Sequence, residues 1–143
     1  MTPRIAIDKD AAAAYQALYN VTNVLEAASL PKTLKHLVDL RVSQLNGCAF
    51  CIKLHQDWGR RDGETDQRLT AVSDWRGSSL FSVAEKAALD WAEALTERQV
   101  HDLDRLHAAL KDHFDAPAVA ELTMMVATIN AWNRIGIACW PEA

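Results

Sequence analysis

Apolar residues recur along this chain at intervals of three and four almost from end to end. Ala14, Leu18, Val21, Leu25 and Ala28 form one such stripe, which Pro31 closes. Leu34, Leu37, Val38 and Val42 mark the inner face of a second helix, over Thr33 to Leu45. Asn46-Gly47 then reads as a turn, because both residues tolerate the left-handed conformation. A third helix follows and loses its pattern at Gly59 and Gly63, and a short one is expected over Asp66 to Trp75. Ser82-Val-Ala-Glu85 is a capping box opening a helix to about Thr96, with Ala84, Ala88, Trp91 and Leu95 on its core edge. Leu103, Leu106 and Leu110 mark another helix. The last enters through Asp115-Ala-Pro117 and runs towards Cys139. No four-residue stretch alternates like a strand. The pattern predicts an all-α protein of six or seven helices, one domain over 1–143, with no repeat and no low-complexity linker.

Composition narrows the function classes. Half of the 143 residues are hydrophobic, 24% are charged and the formal net charge is −4, which leaves no basic face for nucleic acid. No apolar run approaches the roughly 18–20 residues of a membrane helix, and the first residues lack the apolar core of a secretory signal. With only three cysteines, a reducing compartment is expected, and the cytoplasm is the default.

The chemistry gathers in Cys48-Ala-Phe-Cys51-Ile-Lys-Leu-His55. On a helix these three side chains fall within about 60° of one another, and the two cysteine Cα atoms stand about 5 Å apart. That spacing suits a disulfide, so the sulfurs can close and open a bond while the helix stays intact. A reactive thiol must ionise. Cys48 sits where unpaired backbone N–H groups at a helix start favour an anion, and Cys51 adjoins His55, which can take its proton. If the flanking helices fold back at Asn46-Gly47, His36 and His55 reach about the same height, with Cys51 one turn away. The same four residues, His36, Cys48, Cys51 and His55, form a Cys2His2 set that zinc would accept if they converged. Two buried structural cysteines with a stray histidine are the remaining reading of the motif.

Other candidates read as structural. Cys139 is a small hydrophobe near the C-terminus, expected to stay reduced. His101, His107 and His113 share no helical face, and the five tryptophans are core or interface aromatics. Asn130, Asn133 and Arg134 place polar groups in an apolar helix and need partners. Glu85, Lys86, Asp90 and Glu93 read as a wet face.

The stretch Leu34 to His55, with its Ser43-Gln-Leu-Asn-Gly-Cys-Ala-Phe-Cys-Ile-Lys-Leu-His55 core, resembles the AhpD-like alkylhydroperoxidase branch of the carboxymuconolactone decarboxylase family. The resemblance extends to Glu85–Leu95 and Ile129–Arg134 and covers most of the chain. It implies an all-helical, oligomeric protein, a trimer or hexamer, that reduces organic hydroperoxides or peroxynitrite. It also implies a dithiol–disulfide cycle fed by a lipoyl-type or other thiol donor, with no bound cofactor or metal. By resemblance Cys51 attacks the peroxide, Cys48 resolves and faces the donor, and His55 relays protons. The decarboxylase branch generally lacks the cysteine pair. The family usually carries Glu twelve residues before the first cysteine, where this chain has His36; Asp39, one turn on, is the substitute considered. A relay without that carboxylate implies weak turnover and a gain on His36→Glu. A general thiol–disulfide oxidoreductase or redox sensor, and a non-catalytic oligomeric scaffold, are the alternative functions.

Overall fold

Helix α3, Lys32–Asn46, is the axis on which the rest is assembled. Leu37, Val38, Leu40 and Val42 have no exposed surface, and a helix apolar around most of its circumference must be covered on several sides. It packs against α4 (Ala49–Arg61), α6 (Val83–Glu97) and α8 (Ala116–Cys139). These partners contribute Ala88, Leu89, Leu122, Val126 and Ile129 to one core. Each fully buried Leu, Ile or Val contributes about 1.5–3 kcal/mol. The computed structural model describes residues 2–141, which are all-helical with no strand among them.

The remaining helices are α1 (Ile7–Asp10), α2 (Ala12–Glu26), α5 (Asp66–Ala71) and α7 (Leu103–Lys111). Short 3-10 turns run over Val72–Gly77 and Val100–Asp102. Among the described residues there are thus eight α-helices rather than six or seven. The addition is the four-residue α1, which buries no residue and so left no apolar period to read.

Local signals set the helix ends. Gly47 closes α3 with a left-handed φ of 69°, a conformation that costs a glycine little. The capping box of Ser82 and Glu85 opens α6 as expected. Asp115 caps α8, with Pro117 in its first turn. Helix α4 carries on through Gly59 to Arg61. A Cβ at Gly59 would stand 3.0 Å from Leu69 Cδ2 and 3.6 Å from His36 Cβ, so glycine there permits close packing of α4.

Two polar networks depart from the solvated faces that the sequence pattern predicts. Glu93 is buried and accepts from Arg41 Nε at 2.6 Å, Trp75 Nε1 at 2.8 Å and Arg76 Nη2 at 2.7 Å. It is an internal strut, not part of a wet face, because three donors from other elements converge on it. Glu85 likewise pairs with Arg68. Lys35 is 2% exposed and donates its ammonium to the carbonyls of Leu25, Glu26 and Ala28, pinning the end of α2 onto α3.

At the other end of the chain, the Arg4 amide donates to the Cys139 carbonyl at 2.6 Å and its guanidinium to the Ala138 carbonyl at 2.8 Å. This fastens the N-terminal strap to the last turn of α8. Among the described residues no helix is long and apolar enough to cross a membrane.

Candidate active site

The asparagine turn is held down before the motif begins. Asn46 Nδ2 donates to Asn130 Oδ1 at 3.0 Å and Asn133 Oδ1 at 2.9 Å, and Asn133 donates to Ser43 Oγ at 3.0 Å. These bonds give the polar residues of α8 the partners their burial requires. They also lock the α3–α4 corner onto α8.

Cys48 is the N-cap of α4 rather than a residue of its first turn. Its sulfur accepts from the Cys51 amide at 3.4 Å. The Cys48 and Cys51 sulfurs are joined in a disulfide, with Cα atoms 5.3 Å apart. Both sulfurs lie against α8 at Gly136, where a Cβ would sit 3.2 Å from Cys48 Sγ and 3.4 Å from Cys51 Sγ. Cys139 is a buried free cysteine.

A cavity of about 580 Å³ opens beside the pair. Cys51, His55 and Asp39 line it, with Trp58, Trp132 and Leu54 among its apolar walls. The Trp58 ring stands perpendicular to the His55 ring at 5.6 Å, and Tyr15 meets Trp132 edge-on at 5.3 Å. Residues Pro3 to Lys9 of the N-terminal strap roof the cavity. Cys48 does not line it and has no exposed surface. In this disulfide form the Cys48 sulfur is enclosed between the α3–α4 corner and Gly136.

The hairpin brings His36 alongside His55, with ring centroids 6.4 Å apart. Yet His36 Nε2 pairs with Asp62 Oδ2 at 2.7 Å, and His36 is not on the cavity wall. The carboxylate beside His55 is Asp39, whose Oδ2 is 3.7 Å from His55 Nδ1. That nitrogen is buried and makes no hydrogen bond. Burial drives the His55 imidazole down to about 3, with His36 adding to the effect. Burial also holds the Asp39 carboxyl well above its ordinary value, and Glu26 adds to this. Asp62 is pulled the other way, first by its hydrogen bond to Arg61 and then by that to His36.

The four candidate zinc ligands do not form one set, since the sulfurs are bonded to each other and His36 is engaged by Asp62. Asp62 and Gly136 were missed in the sequence. Asp62 lies beyond the end of the apolar pattern, but a glycine inside a long helix was a readable sign of close approach.

Comparison with known proteins follows the same lines. The sequence pattern of the carboxymuconolactone decarboxylase family matches residues 9–94. The Bacillus subtilis protein YdfG is 33% identical over 141 residues, 96% of this chain and 95% of that protein. YnjA of Escherichia coli is 37% identical over 110 residues, 76% of this chain and 60% of that protein. Among solved structures, the Agrobacterium tumefaciens protein ATU0492 superposes with a TM-score of 0.89 at 32% identity, over 95% of this chain and 94% of its own. It is described as a protein of unknown function and a candidate AhpD antioxidant defence protein. The debrominase Bmp8 shares the fold, with a TM-score of 0.77 at 22% identity over 85% of this chain and 66% of its own.

Proposed function

Because the chain belongs to the carboxymuconolactone decarboxylase family, in its AhpD-like branch, we propose that it is a thiol-dependent peroxidase reducing organic hydroperoxides through Cys48 and Cys51. The observation that carries this reading is the placement of Cys51 and His55 on the wall of one apolar cavity, with the second sulfur bonded behind them. A cavity of this volume accommodates a ligand of many heavy atoms. Its walls are mainly apolar, with Leu25, Leu54, Ile129 and Trp132 among them, which suits a hydroperoxide with an apolar organic group.

In the reduced enzyme, Cys51 attacks the outer peroxide oxygen as a thiolate, with neutral His55 beside it passing the proton on rather than holding it. The O–O bond breaks, Cys51 becomes a sulfenic acid, and the alkoxide leaves as alcohol with the proton of the Asp39 carboxyl, which the proton released by Cys51 restores. Cys48 then attacks the sulfenic sulfur, releasing water and forming the disulfide. Two thiols and one hydroperoxide thus yield a disulfide, an alcohol and water. A dithiol donor of the lipoyl type restores the pair. Asp39 takes the position the family's carboxylate would serve, while His36 acts at one remove, through its field on His55.

The low exposure of Cys48 (0%) and Cys51 (5%) favours small substrates over protein disulfides, and so favours a peroxidase over a general thiol–disulfide oxidoreductase.

The test is consumption of a bulky neutral hydroperoxide with dihydrolipoamide as donor. Turnover is expected to vanish in Cys51→Ser. In Cys48→Ser it should stop after one equivalent, leaving a trappable sulfenic acid. Mass mapping of the oxidised wild type should show Cys48 joined to Cys51 and Cys139 unbridged. Absence of both turnover and stoichiometric disulfide formation would defeat the assignment.

A further inference from the structure

We infer that Gly136 is a positioning residue for the redox couple: its missing side chain makes the room in which the Cys48–Cys51 disulfide forms. The inference rests on the dithiol–disulfide cycle proposed above.

Nothing in the backbone calls for glycine at this position. It lies inside α8, and only Gly47 and Gly63 have positive φ among the glycines described. Glycine is a poor helix former, so its presence in a long helix needs a packing reason. That reason is the disulfide: an added Cβ would meet Cys48 Sγ at 3.2 Å and Cys51 Sγ at 3.4 Å. The approach to Cys48 is tighter than ordinary contact between non-bonded heavy atoms, and that to Cys51 stands at its lower limit. In the disulfide the two sulfurs have little means of yielding, because each is tied to the other and that of Cys48 also caps α4.

The near-equality of the two distances sets the direction of the effect. A Cβ nearly equidistant from both sulfurs stands over the bond that joins them. Reduction adds two electrons and two protons from an external dithiol, which itself becomes a disulfide, and yields two thiols. Their sulfurs then part from about 2 Å to ordinary non-bonded contact. Each moves sideways, away from the point above the bond, and the crowding eases. A methyl group at 136 therefore penalises the disulfide more than the dithiol.

The experiment equilibrates the full-length protein in graded ratios of reduced and oxidised dithiothreitol and counts free thiols by alkylation and mass. Gly136→Ala is expected to shift the equilibrium at least tenfold towards the dithiol, about 30 mV for a two-electron couple. Ile137→Ala, on the exposed neighbour, should leave it in place. Thermal melts of both redox forms provide a second readout: oxidised Gly136→Ala should melt lower than oxidised wild type, and the reduced variant no lower than reduced wild type. A potential that is unchanged or more negative overturns the inference while leaving the peroxidase reading intact, as does a variant equally destabilised in both forms. A wild-type pair that equilibrates with no dithiol buffer overturns both.

Discussion

Asp39 Oδ2 lies 3.7 Å from His55 Nδ1, and burial disfavours the charged form of both groups. Between the ordinary values of 3.8 for Asp39 and 6.5 for His55, the unfolded pair carries one proton, on the imidazole. In the folded protein burial disfavours both charges, which shifts the proton from the imidazole towards the carboxyl. Their contributions to the pH dependence of stability therefore oppose each other.

Single substitutions should uncover the two halves with opposite signs. In Asp39→Asn the unfolded state binds the extra proton on His55, so stability falls as pH drops below about 6.5, by roughly 1.4 kcal/mol per pH unit. In His55→Gln the folded state holds the extra proton on Asp39, so stability falls as pH rises above about 4. Urea unfolding of the oxidised proteins at pH 4.5, 5.5 and 6.5 measures this. Slopes of the same sign in both variants would refute the shared-proton arrangement.

His36 gives a second prediction, and it reverses the gain expected from its position in the sequence. Its Nε2 bonds to Asp62 at 2.7 Å in a buried setting. A glutamate there would face Asp62 with like charge and lose that bond. His36→Glu should cost about 2–4 kcal/mol in unfolding experiments, and Asp62→Asn should recover part of the loss when combined with it. Full stability in His36→Glu alone would show that the pairing contributes little.

The limits of the sequence pattern are visible in these same residues. Helices with an apolar stripe or a capping box, such as α3 and α6, declared themselves, and so did the facing of His36 and His55, because periodicity and the Asn-Gly turn determine both. Side-chain pairing did not. Nothing in the spacing of Asp62 distinguishes it from a solvated acid, and Glu93 looks like surface until three donors from distant segments meet it. The strap before α2 was equally hidden, since its attachment to α8 runs mainly through backbone groups and one exposed arginine. The cysteine pair was legible because its chemistry is local. The sealing of Cys48 was not, because it depends on a glycine 88 positions away in the chain.

A third prediction concerns assembly. Helix α2 buries none of its residues, yet Val24 is 70% and Tyr19 47% exposed, and Phe50 beside the motif is 54% exposed. Apolar surface of this kind, with the family's oligomeric habit, leads us to expect a homo-oligomer, trimeric or larger. Light scattering at micromolar concentration checks it, and a monomer would refute it. Val24→Glu is expected to weaken the assembly without unfolding the protomer.

The last prediction concerns the roof of the cavity. The strap from Pro3 to Lys9 contributes to the cavity wall but buries none of α1, so little apolar contact holds it there. Its fastening is polar: the Arg4 amide on Cys139, and the Arg4 guanidinium on the carbonyls of Ile137 and Ala138. The guanidinium also meets the negative end of the α8 dipole, a contact of about 0.3–1 kcal/mol. Arg4→Ala removes the side-chain contacts and leaves the amide bond. Global stability should then fall by no more than about 1 kcal/mol, while amides of the strap lose hydrogen-exchange protection. A looser roof covers a bulky substrate less completely, so KM for a large hydroperoxide should rise roughly threefold, an effect of about 0.7 kcal/mol. The kcat should hold within about twofold, because Arg4 touches none of the reacting groups. Unchanged exchange in the strap, or an equal loss in kcat and kcat/KM, would show that Arg4 does not act as this fastening.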